Sequence, residues 1–135
     1  MKRFPVLLAA GLMALAAPIL PALAHHSFAM FDFSRTIVVR GVVTEFRFVN
    51  PHTLIRVRGA PVTGGAEAIW TFETMSPGNL GRIGWNRRSF IVGERVEVTT
   101  NPLRSGERGG AFGQAIFPDS GEIITWGEGR KKIEN

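Results

Sequence analysis

The sequence predicts an all-β domain, an OB-like barrel of five to six strands with one short helix. Three observations carry that prediction. Short runs rich in β-branched and aromatic residues recur between turn signals. Their order, three strands, a short helix, then two or three strands, is that of an OB-like barrel. The first strand is also long, and its apolar alternation changes phase part-way, as expected of a strand shared by two parts of a curved sheet. A small β-sandwich is the alternative, because element order alone does not fix closure.

The first strand, residues 36–49 (TIVVRGVVTEFRFV), places Ile37 and Val39 on one parity and Val42, Phe46 and Phe48 on the other. Gly41 sits between the two sets and is the expected site of a β-bulge. Asn50-Pro51 ends this strand, and residues 53–58 begin a second. The stretch 59–67, with Pro61 and Gly64-Gly65, reads as a loop. Residues 68–74 form a third strand with Trp70 and Phe72 on one face. Ser76-Pro77 opens a short helix over 77–83: the serine hydroxyl caps it, and proline is tolerated in its first turn. Residues 95–100 form a fourth strand facing the core through Val96 and Val98. A loop over 105–110 leads to a fifth strand, 111–117, and Asp119-Ser120-Gly121 turns the chain into a sixth, 122–126. The charged tail, 128–135, is expected to fray. The expected core comprises Ile37, Val39, Val42, Phe46, Phe48, Ile55, Val57, Trp70, Phe72, Leu80, Trp85, Val96, Val98, Ile116 and Ile123, enough apolar area for one domain.

Composition narrows the chemistry. The 135 residues contain no cysteine, which excludes thiol nucleophiles, disulfides, cysteine zinc sites and iron–sulfur clusters. Residues 1–24 combine Lys2 and Arg3, an apolar run, and the small-residue ending Ala22-Leu23-Ala24. This is the pattern of a cleaved secretory signal, too short and too proline-rich for a spanning helix. Cleavage is expected after Ala24. It leaves an N-terminal arm, 25–35, ahead of a barrel domain over 36–127, and lowers the formal net charge of +5 by two. The expected location is the periplasm, with no membrane span after cleavage. Export and the modest residual charge both weigh against nucleic acid as a partner.

Three stretches carry a resemblance: His25-His26-Ser27-Phe28-Ala29-Met30-Phe31-Asp32, the segment from Gly41 to Asn50-Pro51-His52, and Glu73-x-x-Ser76-Pro77-x-x-Leu80-x-Arg82-x-Gly84-Trp85. Together they resemble an uncharacterised family of small exported proteobacterial proteins, a domain of unknown function. The resemblance implies a small exported β protein and supplies no activity. The loop 59–65 lacks the acidic residue expected of the pattern there.

The most informative chemistry lies at the expected cleavage point. His25, His26 and His52 all survive processing, and His25 becomes the first residue. An α-amine titrates near ~8 and an imidazole near ~6.5, so both become nitrogen ligands at mild cost. The amine and Nδ1 of His25 can close a chelate ring around one metal ion. A third nitrogen from His52 or His26 completes a T-shaped set that suits Cu(II). The amine, a deprotonated amide and the His26 imidazole form another copper chelate that requires no fold. The bland reading is a tolerated start and a turn histidine. Met30 and Met75 are soft enough to assist Cu(I), although scattered methionines also serve as core filler. Copper storage or delivery is the first functional expectation.

The second is a non-catalytic module for an acidic ligand or a protein partner. Arg82, Arg87 and Arg88 cluster around Trp85 and Phe90, with Arg104 and Arg108 in the later loop and Arg56 and Arg58 on the second strand. Guanidinium forks recognise carboxylate and phosphate. Catalysis is less supported. His52, Asp32 and a serine could compose a triad, but no nucleophile-elbow context accompanies them. Glu45 and Glu73 form a carboxylate pair only if neighbouring strands align them.

Overall fold

The barrel closes around β1 (Ile37–Arg47), which pairs antiparallel with β2 (Thr53–Pro61) on one side and β4 (Arg95–Pro102) on the other. This computed structural model describes residues 28–134, so the expected leader and, with it, His25 and His26 lie outside the described residues. β2 pairs with β3 (Ala68–Thr74), and β5 (Gly109–Phe117) joins β4 antiparallel and β3 parallel. The parallel β3–β5 seam completes the circuit of five strands. Two further strands, β6 (Glu122–Thr125) and β7 (Glu128–Lys132), extend the sheet beyond β5. The fold is thus an OB-like barrel, and the sandwich alternative is set aside by that closure.

Among the described residues one α-helix forms, α1 (Pro77–Gly81), and it lies between β3 and β4, as its sequence signals require. The Ser76 hydroxyl accepts from the Asn79 N–H at 3.4 Å, and Pro77 occupies the first turn. Leu80 is its one buried residue and belongs to the hydrophobic core, so a single apolar side chain ties the helix to the barrel.

The change of phase in β1 is present, but it lies after Gly41. Pairing with β2 runs regularly from Val39 to Val43 and shifts only between Val43 and Glu45. Val43 is therefore 1% exposed and Val42 is 38% exposed, the reverse of the expected assignment. Two adjacent valines offer both parities, and composition cannot choose between them. Gly41 has a different function. It stands opposite Gly59 in β2, and a Cβ on either would collide with the carbonyl of the facing strand. The pair lets two backbones approach more closely than side chains permit.

The same ambiguity recurs between β5 and β6. The register pairs Ala115 with Ile124 and Ile116 with Ile123, so Ala115, Phe117 and Ile124 fill the core. Ile116 and Ile123, the expected core residues, are only half-buried. Elsewhere Val39, Ile55, Val57, Trp70, Phe72, Leu80, Trp85, Val96 and Val98 are buried as expected, with Ile37, Phe46 and Phe48 packed at the core's margin. Phe90 and Phe112 join Trp85 and Phe46 in an aromatic cluster at one end.

Residues 128–132, expected to fray, form β7 because Arg130 anchors them. Its guanidinium carbon lies 3.7 Å from the centroid of Phe117, and its nitrogens donate to both oxygens of Glu94 (2.8 and 3.0 Å) and to Glu122 (2.9 Å). Arg130→Met keeps the aliphatic volume and removes the fork, so unfolding stability should fall by about 1–3 kcal/mol. The Ser120 hydroxyl, and after it Arg130, holds the Glu122 carboxyl below the usual glutamate range. The Glu122 contribution is present above that range and is lost as pH falls through the lowered value. An acid titration of stability should therefore be shallower in Arg130→Met than in the parent protein.

Candidate functional site

A cleft of about 730 Å³ opens at the end of the barrel where β2 begins, β3 ends and the N-terminal arm crosses. The arm is held by backbone bonds to the last residue of β4 and the loop that follows it. Asp32 N–H donates to Pro102 O at 2.8 Å, Arg104 N–H donates to Met30 O at 2.9 Å, and Phe31 bridges to Leu103. Asp32 also accepts from the Ser34 hydroxyl at 2.6 Å, and that bond is the main reason its carboxyl sits below the usual range. So fixed, the arm aligns Phe28, Phe31 and Phe33 along one wall. The Phe33 ring contacts both others, with centroids 6.3 Å from Phe28 and 6.1 Å from Phe31.

The opposite wall comes from strand register. Thr53 pairs with Thr74, and Thr53 N–H donates to Met75 O at 3.1 Å, which brings His52 and the Glu73–Met75 stretch together at the rim. His52 Nδ1 lies in direct contact with Glu73 Oε1 there, with the imidazole 35% exposed. A carboxylate against Nδ1 fixes the orientation of the ring. Next to His52, the Thr53 hydroxyl is buried without a hydrogen-bond partner among the described residues. Ser76, Asn79, Asn101, Phe112 and Trp126 complete the lining.

This arrangement engages the expected site residues unequally. His52 is in the cleft wall. Among the described residues no three His, Cys, Asp or Glu side chains gather as a metal centre. Met75 lines the cleft, and Met30 belongs to the exposed turn Phe28–Met30 beside it. Arg82, Arg87 and Arg88 are exposed around the end of α1, but Trp85 is not with them on the surface. It is 2% exposed, and its Nε1–H donates to Thr125 O at 2.9 Å, so it presents no ring to a ligand and the mixed arginine–indole face does not form. Arg56 donates to Glu45 at 2.8 Å, and Arg104 Nε–H to Ala29 O at 3.1 Å. Glu45 and Glu73 therefore have separate partners and form no carboxylate pair. Asp32 is likewise occupied by Ser34, and His52 is held by Glu73, which leaves the triad unassembled.

Sequence reading missed Glu73 as the partner of His52, and it missed the aromatic rim of Phe28, Phe33 and Trp126. A signal existed for the first: pairing 53–58 with 68–74 in antiparallel register brings the start of one strand to the end of the other. No such signal marked the rim, since only folding brings residues 28 and 126 together.

No helix among the described residues is long and apolar enough to cross a membrane. Comparison with curated proteins finds no match. Comparison with solved structures also finds none. A family model does match residues 12–112, which include His52, Glu73 and both walls of the cleft up to Phe112, and the chain accordingly belongs to the family of unknown function DUF6152.

Proposed function

We propose that this is an exported, periplasmic copper-binding protein for storage or delivery, which holds the ion between its mature N-terminus and His52. The observation that carries this reading is the His52–Glu73 pair in the wall of a cleft that Phe28 also lines. A carboxylate behind an imidazole is the usual support of a metal-ligating histidine: it fixes the tautomer and raises the basicity of the other nitrogen. Three residues span at most about 11 Å, so His25 begins within reach of the rim where Phe28 sits. The donor set of an α-amine and imidazoles, with the Met75 thioether in the same cleft, favours copper over harder ions. When bound, copper would supply a tightly held, redox-capable cation. The chain's own part is to present nitrogen donors and to surround them with aromatic side chains.

The test begins with the intact mass of the exported protein, expected to correspond to a start at His25. Calorimetric titration of that form should find one Cu(II) per chain at neutral pH. One extra residue before His25 should abolish the stoichiometric site while leaving the melting temperature unchanged. His52→Ala should weaken it by at least tenfold. A start at Ser27, or no stoichiometric binding by the His25 form, would overturn the proposal. Affinity unchanged by His52→Ala would reduce it to the His25-His26 chelate.

A further inference from the structure

Trp126 joins two concavities, and neither is built for an anion. On one side lies the cleft just described. On the other is a groove of about 420 Å³ formed with Thr99, Gly113, Gln114, Thr125 and Gly127. Trp126 lines both and is 61% exposed, whereas Trp70 and Trp85 are buried in the core. The backbone that carries this indole is fixed. Trp126 N–H donates to Gly113 O at 3.0 Å, and Gly127 N–H donates to the Thr125 hydroxyl at 3.2 Å in the turn that follows. Gly113 and Gly127 keep the surface beside the ring free of side chains.

The chemistry of the two linings is uniform. No lysine or arginine lines either concavity, and the titratable groups are His52 and Glu73, which pair with each other. An acidic ligand would find no counter-charge there. Available instead are exposed aromatic faces and neutral polar groups. Among the described residues, the side-chain amides of Asn79 and Gln114 and the Thr99 hydroxyl take no part in the fold's side-chain hydrogen bonds, although all three border the path. A flat apolar platform flanked by unspent amides and hydroxyls matches one ligand chemistry well: sugar rings, whose C–H faces stack on an indole while their hydroxyls take hydrogen bonds at the edges. Two concavities meeting at one ring suit a chain of such units.

We infer that the surface centred on Trp126 binds a neutral oligosaccharide, with one ring stacked on the indole and its neighbours running into the cleft and the groove. This inference does not rest on copper binding. It can be tested on metal-free protein, where loss of the copper site has no bearing on the result.

Trp126 is the one exposed tryptophan of three, so it reports its own occupancy. Chitohexaose, cellohexaose and maltohexaose serve as probes, titrated up to millimolar concentration. At least one should blue-shift the emission and protect it from acrylamide quenching. Calorimetry should show that Trp126→Ala weakens binding tenfold or more and Gln114→Ala severalfold, with both variants melting within a few degrees of the parent protein. Binding should be insensitive to salt, since no ion pair is formed. No binding of any of the three sugars, binding unaffected by Trp126→Ala, or a preference for sulfated dextran that salt abolishes would each overturn the inference.

Discussion

Gly41→Val should lower unfolding stability by about 3 kcal/mol or more, seen as a large drop in the urea midpoint. A Cβ at this position would lie 2.7 Å from Gly59 Cα and closer still to the Arg58 carbonyl. These are backbone atoms, which cannot rotate away as a side chain would. Relief requires the β1–β2 seam to open where Gly41 pairs with Gly59, and β1 is also the strand that joins β2 to β4. The barrel would lose closure as well as local packing. Val42→Thr, one position along and on the outer face, should change stability by less than about 0.5 kcal/mol. An unchanged midpoint for Gly41→Val would mean that the two strands do not approach as closely as described.

Trp85→Ala should cost about 3–5 kcal/mol, because the ring is the centre of the aromatic end of the core. Its centroid lies 5.3 Å from Phe112 in a T-shaped contact, 5.7 Å from Phe90 and 6.5 Å from Phe46. Removing it opens a cavity and strips the Thr125 carbonyl of its donor, which loosens the attachment of β6. Trp85→Phe should recover part of the packing but none of the hydrogen bond. Thermal melts would rank the three proteins parent, Phe, Ala. A Trp85→Ala protein with parent-like stability and impaired ligand binding would instead return this residue to the role its arginine neighbours suggested.

Much of the fold could be read from local chemistry. β3 over 68–74 follows from its bounding turns and the Trp70–Phe72 alternation, and the start of α1 follows from Ser76-Pro77. What could not be read depends on partners distant in sequence. Val42 or Val43, and Ile123 or Ile124, are equally apolar, and only pairing with another strand selects the inward member. β7 looked like a polar tail because its anchor, Arg130, is charged. Its stability comes from Glu94, thirty-six residues earlier, and from the face of Phe117. The candidate site divides in the same way. His52 was visible as one of three histidines, whereas its carboxylate partner and the aromatic rim emerge only when the arm, the β3 end and the β6–β7 turn come together.

We propose that copper bridges the mature N-terminus and His52 across this cleft. Electron paramagnetic resonance of the His25-initiated protein loaded with one equivalent of Cu(II) provides the test. The parent spectrum should show nitrogen couplings that include an imidazole lost in His52→Ala. Glu73→Gln should give a site with altered parameters but the same number of nitrogens, since it changes only the support behind the ring. Identical spectra for the parent protein and His52→Ala would contradict the claim, because the copper would then be held by the N-terminal residues alone, without the barrel.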